Sequence, residues 1–337
     1  MISRTITLIR RMIRAFIGMA LASGAQAAPA LVLSPALALT MVLAMTMTVA
    51  LTVALALAPG LDMHASAQEA PRATTPVQPV LVNIQVDAEE DDLNGLLNIT
   101  TELMRRNITA ATVFATGRFA NANAKILDGL ASSGFEIGFH GYSTGEQLAT
   151  MTYNEQYDLL ARGSQAVRGC LDCGVARSVV SFRPQYFSQN EDTLKILPKL
   201  YLFNNSGFKA GVLYAEGHRE DRGPYKIEEH GLVAVPVTTT DFRGEDIYLC
   251  DIGTALGKKL SATDWKDILL KAFDECRSRG YPLVVIFHGW FTGDRVKYSD
   301  RWDSFVAFLD YAQQHGASFV TTDALANLFL TNPILNN

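Results

Sequence analysis

The sequence predicts a deformed (β/α) barrel of seven or eight strands, preceded by an apolar N-terminal segment. Three observations carry this expectation. From residue 80 onward, short apolar runs alternate with longer segments of helical periodicity, the pattern of strands joined through helices in a mainly parallel sheet. Seven or eight such units occupy roughly 250 residues, a length usual for this kind of barrel. Two octapeptides are nearly the same, FHGYSTGE at 139–146 and FHGWFTGD at 287–294. Each puts a histidine where an apolar run gives way to a Gly-rich turn. A doubly wound open sheet is the competing architecture, and in both the functional groups gather at the C-terminal ends of the strands.

The elements follow in order. Arg4, Arg10, Arg11 and Arg14 precede a stretch from residue 30 to 59 that carries no charge. That stretch is long enough to cross a bilayer. Positive residues ahead of it predict a cytoplasmic N-terminus and an exported remainder. Ala65-Ser66-Ala67 offers an A-x-A cleavage site, so residues 1–67 are expected to be either a signal peptide or a retained membrane anchor. Residues 68–79 are rich in Pro, Thr and Ala and read as a linker. Residues 80–337 read as one folded domain. Strands are expected at 80–86, 110–115, 135–139, 178–182, 209–214, 232–237, 282–287 and 317–320. Helices are expected at 93–106, 120–131, 153–167, 190–200, 262–279, 301–315 and 322–330. In the helix at 301–315, Trp302, Phe305, Phe308, Leu309 and Ala312 recur at helical spacing, and Gly316 stops it.

Composition narrows the function. The 337 residues have a formal net charge of −5, and no Lys/Arg block occurs after residue 20. A nucleic-acid partner is therefore excluded, since the phosphate backbone demands a positive footprint. Export would let Cys170, Cys173, Cys250 and Cys276 form one or two disulfides, or they remain thiols. Asn98-Ile-Thr and Asn107-Ile-Thr match the glycosylation acceptor pattern.

The strand ends carry the chemistry. The first ends in Gln85-Val-Asp-Ala-Glu-Glu-Asp-Asp92. Asp87 and Glu89 are two apart and would share one side of an extended strand. Acids this dense repel one another unless a cation lies among them. Asp91 and Asp92 are assigned instead to the start of the following helix. The third strand ends at His140 and the last but one at His288. The strand at 178–182 ends in Arg183-Pro-Gln-Tyr186. The arginine there could hold a carboxylate ionised, and the amides of the turn could bind an oxyanion. His218, His230 and His315 are read as structural.

This order of pieces resembles the polysaccharide deacetylase family, the nodulation-protein-B-like carbohydrate esterases. The resemblance runs from about residue 80 to the C-terminus. VDAEED is similar to the family's first motif in the branch that spaces two acids by two, which implies Asp87 as base and Glu89 as metal ligand. GFEIGFH resembles the second motif and implies His140 as a metal ligand. FRPQY resembles the third, implying that Arg183 steers the base and that the Tyr186 amide contributes to the oxyanion hole. LVVIFH resembles the last and implies His288 as the acid. HGASFVTTDAL is similar to the closing strand and helix. Asp241, in TTTDF, is a weak candidate for the aspartate that braces the site.

The family likeness implies a divalent cofactor, zinc in the first place and cobalt or manganese otherwise. The partner it implies is a polysaccharide or amino-sugar oligomer that loses an N-acetyl group. One departure stands out. The family's second metal histidine falls four residues after the first, and that position holds Thr144. A neutral hydroxyl is a poor ligand beside imidazole and carboxylate. Three readings follow. The metal is held by Glu89, His140 and a substitute such as Glu146; it is held weakly with more waters; or it is absent and the protein binds glycans without catalysis. A hydrolase of a non-sugar amide bond is a further alternative.

Overall fold

The structure, a computed structural model, describes residues 79–90, 93–171 and 179–331. All of them belong to the unit 74–337, one of two into which the chain divides. The expected leader, linker, Asp91, Asp92 and Cys173 lie outside the described residues. Among those described, no helix is long and apolar enough to cross a membrane.

The strands are β1 (Leu81–Ala88), β2 (Thr112–Ala115), β3 (Glu136–Phe139), β4 (Ser181–Phe182), β5 (Asn204–Asn205), β6 (Tyr225–Ile227), β7 (Leu232–Ala234), β8 (Thr239–Phe242), β9 (Glu245–Tyr248), β10 (Leu283–His288) and β11 (Ser318–Phe319). The helices are α1 (Leu93–Arg105), α2 (Gly117–Ser132), α3 (Tyr153–Gly169), α4 (Glu191–Ile196), α5 (Ala262–Arg279), α6 (Ser299–Gln314) and α7 (Thr322–Thr331). Sequence-encoded caps fix several helix starts. Thr116 accepts a bond from the Phe119 amide at the head of α2. Thr152 with Glu155 and Ser261 with Asp264 form capping boxes on α3 and α5, satisfying amides that a helix start leaves unpaired. Gly280 ends α5 at φ +73°, a left-handed conformation that glycine adopts without strain.

The principal sheet runs β10-β1-β2-β3-β4-β5-β7-β6, with β11 beside the start of β1. Every pairing in it is parallel except that of β6 with β7. β8 and β9 form a separate antiparallel hairpin. The sheet curls as the sequence predicts for a barrel, and single bonds rather than a ladder close it. Thr238 donates its amide to the Val284 carbonyl (3.1 Å), and Ile286 donates to Leu249 (2.9 Å). Val284 donates to the Thr238 hydroxyl (2.8 Å).

β1 shows why the barrel tolerates polar residues inside. Its side chains alternate, and nearly all are fully buried. Val82, Ile84 and Val86 join the apolar core that also contains Leu96, Ile99 and Leu103 of α1. Asn83, Gln85 and Asp87 turn the other way. Gln85 donates to Asn83 Oδ1 (2.7 Å) and Thr322 Oγ1 (3.2 Å). Its Oε1 accepts from Arg183 Nη2 (2.7 Å) and Ser206 Oγ (3.0 Å). Such a network rigidifies a core because its members are paired.

Two expectations need correction. Residues 209–214 are not a strand. Lys209 and Leu213 exchange backbone bonds around Gly211, whose φ is +72°, so the apolar run is a tight turn. β5 is built from two asparagines, and β6, β8 and β9 lie where no strand was expected. The cysteines that can be described are thiols: Cys250 and Cys276 are buried, and Cys170 is half-buried.

Candidate active site

β1, β3, β4 and β10 deliver their last residues to the same mouth of the barrel. The pairing register sets Asp87 directly beside His288. At the centre is the Asp87 carboxylate, which is buried. Its Oδ1 accepts from Arg183 Nε at 2.8 Å. Its Oδ2 lies 3.6 Å from His140 Nε2 and 3.5 Å from His288 Nε2. Glu89 Oε1 stands 3.9 Å from the same His140 nitrogen. All five residues expected from the strand-end patterns therefore converge.

The electrostatics separate their roles. Burial pushes the Asp87 carboxyl up, but Arg183 and the two imidazoles outweigh it and hold the pKa below the usual carboxylate value. Burial lowers the pKa of His140, and Arg183 and His288 push it down further against the attraction of Asp87. That ring is a neutral imidazole. Its Nδ1 sits 2.8 Å from the Arg183 carbonyl, an acceptor, so Nδ1 carries the hydrogen and the lone pair is on Nε2. His288 goes the opposite way. Burial disfavours its charge, yet Asp251 beside it, helped by Asp87 and Glu89, overcomes this and raises the pKa to about 9. It is an imidazolium at neutral pH.

Asp251 is the residue that sequence reasoning missed. It is fully buried. Its Oδ1 is 2.7 Å from His288 Nδ1 and accepts the Ile252 amide at 2.7 Å. Its Oδ2 accepts the His288 amide (2.9 Å) and the Thr292 hydroxyl (2.6 Å). The bracing aspartate is therefore not Asp241, which lies exposed on β8 at the hairpin. The available signal was the short buried run Leu249-Cys250-Asp251, where Cys250 bridges to Ile286 of β10. Thr292, the shared threonine of the second octapeptide, thus works as a donor to the brace.

The loop after His288 is held against α1 by glycines. A Cβ on Gly95 would lie 1.9 Å from the Gly289 carbonyl oxygen, and one on Gly293 would lie 2.4 Å from the Gly95 oxygen. Gly95→Ala is therefore expected to destabilise the protein by about 1–3 kcal/mol through overpacking. Thermal unfolding checks this, and an unchanged midpoint would contradict the close contact.

The loop after His140 holds Thr144 and Glu146. Glu146 accepts the amides of Tyr142 (2.9 Å) and Ser143 (2.7 Å) and the Ser143 hydroxyl (3.1 Å). It closes its own loop and is not a substitute ligand. Gln185 fastens that loop to the third motif, bonding the carbonyls of His140 (3.0 Å) and Ser143 (2.8 Å) and the Gly145 amide (2.7 Å). Thr144 is exposed. Its amide donates to Glu90 Oε1 at 3.0 Å, and its hydroxyl also bonds Glu90. Position 144 thus ties the β3 loop to the end of β1.

Tyr186 and Phe187 adopt φ values of +56° and +57°. Two consecutive left-handed residues other than glycine carry strain of the kind that gathers at functional sites. The Tyr186 amide has no acceptor among the described residues, and the ring is 64% exposed.

The donors present fit the metal implied by the sequence resemblance. Two ligands about 2.0–2.1 Å from zinc can stand at most roughly 4.2 Å apart, and Glu89 Oε1 and His140 Nε2 stand within that span. An imidazole with carboxylates suits zinc, cobalt or manganese. Cys250, Asp251 and His288 also approach one another closely. Both Asp251 oxygens there already accept two hydrogen bonds each, and burial pushes the Cys250 thiol up, so that cluster is a brace.

A family model described as polysaccharide deacetylase matches residues 90–202. No match was found among curated protein sequences. Among solved structures, a probable polysaccharide deacetylase from Pseudomonas aeruginosa PAO1 is 15% identical, with a TM-score of 0.60 over 75% of this chain and 91% of that one. A Puue allantoinase is 13% identical, with a TM-score of 0.61 over 81% of this chain and 99% of that one. A CE4 family pseudoenzyme from Bacillus anthracis is 15% identical, with a TM-score of 0.47 over 74% of this chain and 66% of that one.

Proposed function

We propose that the chain, which a polysaccharide deacetylase model matches over residues 90–202, hydrolyses N-acetyl groups on an amino-sugar polymer outside the cytoplasmic membrane. The cofactor is a divalent metal, zinc in the first place and cobalt or manganese otherwise, held by Glu89 and His140. One observation carries the reading. A single ionised carboxylate, Asp87, faces one neutral and one protonated imidazole, with its other oxygen clamped by Arg183.

When bound, the ion would polarise the acetyl carbonyl and acidify a water. Asp87 is placed to take a proton from the attacking water as it adds to the carbonyl carbon. Arg183 keeps Asp87 ionised and aimed. The Tyr186 amide donates to the developing oxyanion. His288, charged and braced by Asp251, protonates the amine nitrogen as the C–N bond breaks, leaving acetate and a free amino sugar. The export expected from residues 1–67 fits this reading, because such polymers lie outside the membrane.

The test is metal content together with acetate release by the full-length chain from chitin and peptidoglycan oligomers, with zinc, cobalt or manganese supplied. Bound metal and acetate support the proposal; neither, under any of the three ions, would sink it. His140→Ala is expected to lose both the metal and the acetate. A second reading, a glycan-binding protein without catalysis, is favoured by Thr144, whose hydroxyl is committed to Glu90 rather than to a metal. Oligomer binding without acetate release would select it.

A further inference from the structure

The head of the closing helix lies one layer beneath the residues at the mouth. α7 begins at Thr322, which is fully buried. Four bonds pin the chain there. The Val320 carbonyl accepts from Asn83 Nδ2 at 2.9 Å. The Thr322 amide donates to Thr112 Oγ1 at 2.9 Å, and the Asp323 amide donates to Glu136 Oε2 at 2.9 Å. Asp323 Oδ1 accepts from Asn204 Nδ2 at 3.0 Å. Those four partners belong to β1, β2, β3 and β5, so the helix head is a fixed post against the sheet.

The post meets the site through Gln85. One amide hydrogen of Gln85 goes to Asn83 Oδ1 (2.7 Å) and the other to Thr322 Oγ1 (3.2 Å). Its oxygen accepts from Arg183 Nη2 (2.7 Å) and from Ser206 Oγ (3.0 Å). Both ends of this buried amide are therefore filled, which settles its orientation. The Thr322 oxygen can accept because its own hydrogen is directed to Thr112 Oγ1 (2.9 Å) or Asn83 Oδ1 (3.2 Å).

Arg183 depends on that amide. Its Nε bonds Asp87 at 2.8 Å and its Nη2 bonds Gln85. Its Nη1 is buried without a hydrogen-bond partner among the described residues. Two hydrogen bonds thus hold the guanidinium that aims Asp87, and Gln85 accepts one of them. Without the Thr322 hydroxyl, one Gln85 N–H would be buried and unpaired, a costly state. Rotation of the amide relieves it and breaks the bond to Arg183. The guanidinium then tilts about its remaining bond, and Asp87 tilts with it.

We propose that Thr322 is a positioning residue for the reaction, its hydroxyl holding Gln85 so that Gln85 holds Arg183 and Arg183 aims Asp87. This rests on the deacetylase reading for the reaction served, and one of its two readouts does not depend on turnover.

The test compares Thr322→Val, which keeps the shape and loses the hydroxyl, with Thr322→Ser, which keeps the hydroxyl. Both are made in the full-length chain and shown to be folded by thermal unfolding; Thr322→Ala takes the place of the valine variant if that one does not fold. In Thr322→Val, kcat for acetate release is expected to fall by about tenfold, since a misplacement of about 1 Å costs up to about 10²-fold. KM stays unchanged, as when an interaction is lost only in the transition state. In protein labelled with ¹⁵N-arginine, the Arg183 Nε–H resonance, identified by its loss in Arg183→Lys, shifts and exchanges faster with water. Thr322→Ser recovers most of both effects. A parent-like kcat in folded Thr322→Val, an Arg183 resonance that does not move, or a serine variant no better than the valine one each overturns the proposal. If the parent releases no acetate, the deacetylase reading fails, and the Arg183 resonance still decides whether Thr322 holds the clamp.

Discussion

Asp87→Asn is expected to lower kcat for acetate release by about 10²–10⁴-fold, the range that a positioned general base supplies. The same substitution leaves the Arg183 guanidinium buried without its counter-charge; the two side chains are only 2% and 4% exposed. Breaking a buried pair from one side costs about 3–5 kcal/mol, so the melting temperature should fall along with activity. Kinetics on protein shown to be folded, together with thermal unfolding, check both effects. The sign of the pH effect follows from the lowered Asp87 pKa. Its stabilising contribution is present above the unfolded carboxyl value near 4 and is lost as pH falls through the lower folded value. A variant that loses activity but no stability would show that the Asp87–Arg183 pair does not support the fold.

Asp251→Asn is expected to act on the alkaline side. Burial opposes the charge on His288, and Asp251, with Asp87 and Glu89, outweighs it and raises the pKa from 6.5 to about 9. With a neutral amide in place of the carboxylate the largest of these attractions is gone, and the pKa falls toward its ordinary value. The alkaline limb of kcat/KM should therefore move down, by as much as roughly two pH units, with activity at pH 8 falling by up to about tenfold. Stability follows the same group. Its raised pKa contributes on the order of 3 kcal/mol below the unfolded value of 6.5, and this is lost as pH rises through about 9. A pH–rate profile of the variant that overlays the parent would show that His288 is not the acid.

The positions that meet at the mouth were legible where a long apolar run ends in a charged residue. β1, β3 and β10 present Asp87, His140 and His288 in this way, and the FRPQY pattern marks Arg183. The barrel followed from the alternation of such runs with capped helices. What escaped was built from short or polar pieces. β5 is Asn204-Asn205, buried because Asn205 donates to Gln189 and Asn204 to Ser181 and Asp323, and no hydrophobic period reveals such a strand. Asp251 hides behind an exposed hairpin, in a stretch whose backbone joins β10 at a single isolated bridge. Glu146 looked like a spare ligand in sequence, yet three bonds within its own loop account for its carboxylate. Residues 209–214 look apolar enough for a strand, but Gly211 at φ +72° turns the chain back.

The seam that closes the barrel also joins the acid to its brace. Cys250 and Asp251 meet β10 through one bridge, the bond from Ile286 to Leu249 and the two bonds from His288 to Asp251, whereas β10 and β1 are zipped over six residue pairs. Local opening follows the least-bonded boundary, so breathing here would part Asp251 from His288 while Asp87, Arg183 and His140 keep their places. Each opening event would deprotonate His288 near neutrality and switch the acid off without unfolding the domain. Exchange of the Thr238 and Ile286 amides with solvent deuterium would then report the fraction of molecules in which the proton donor is momentarily out of service.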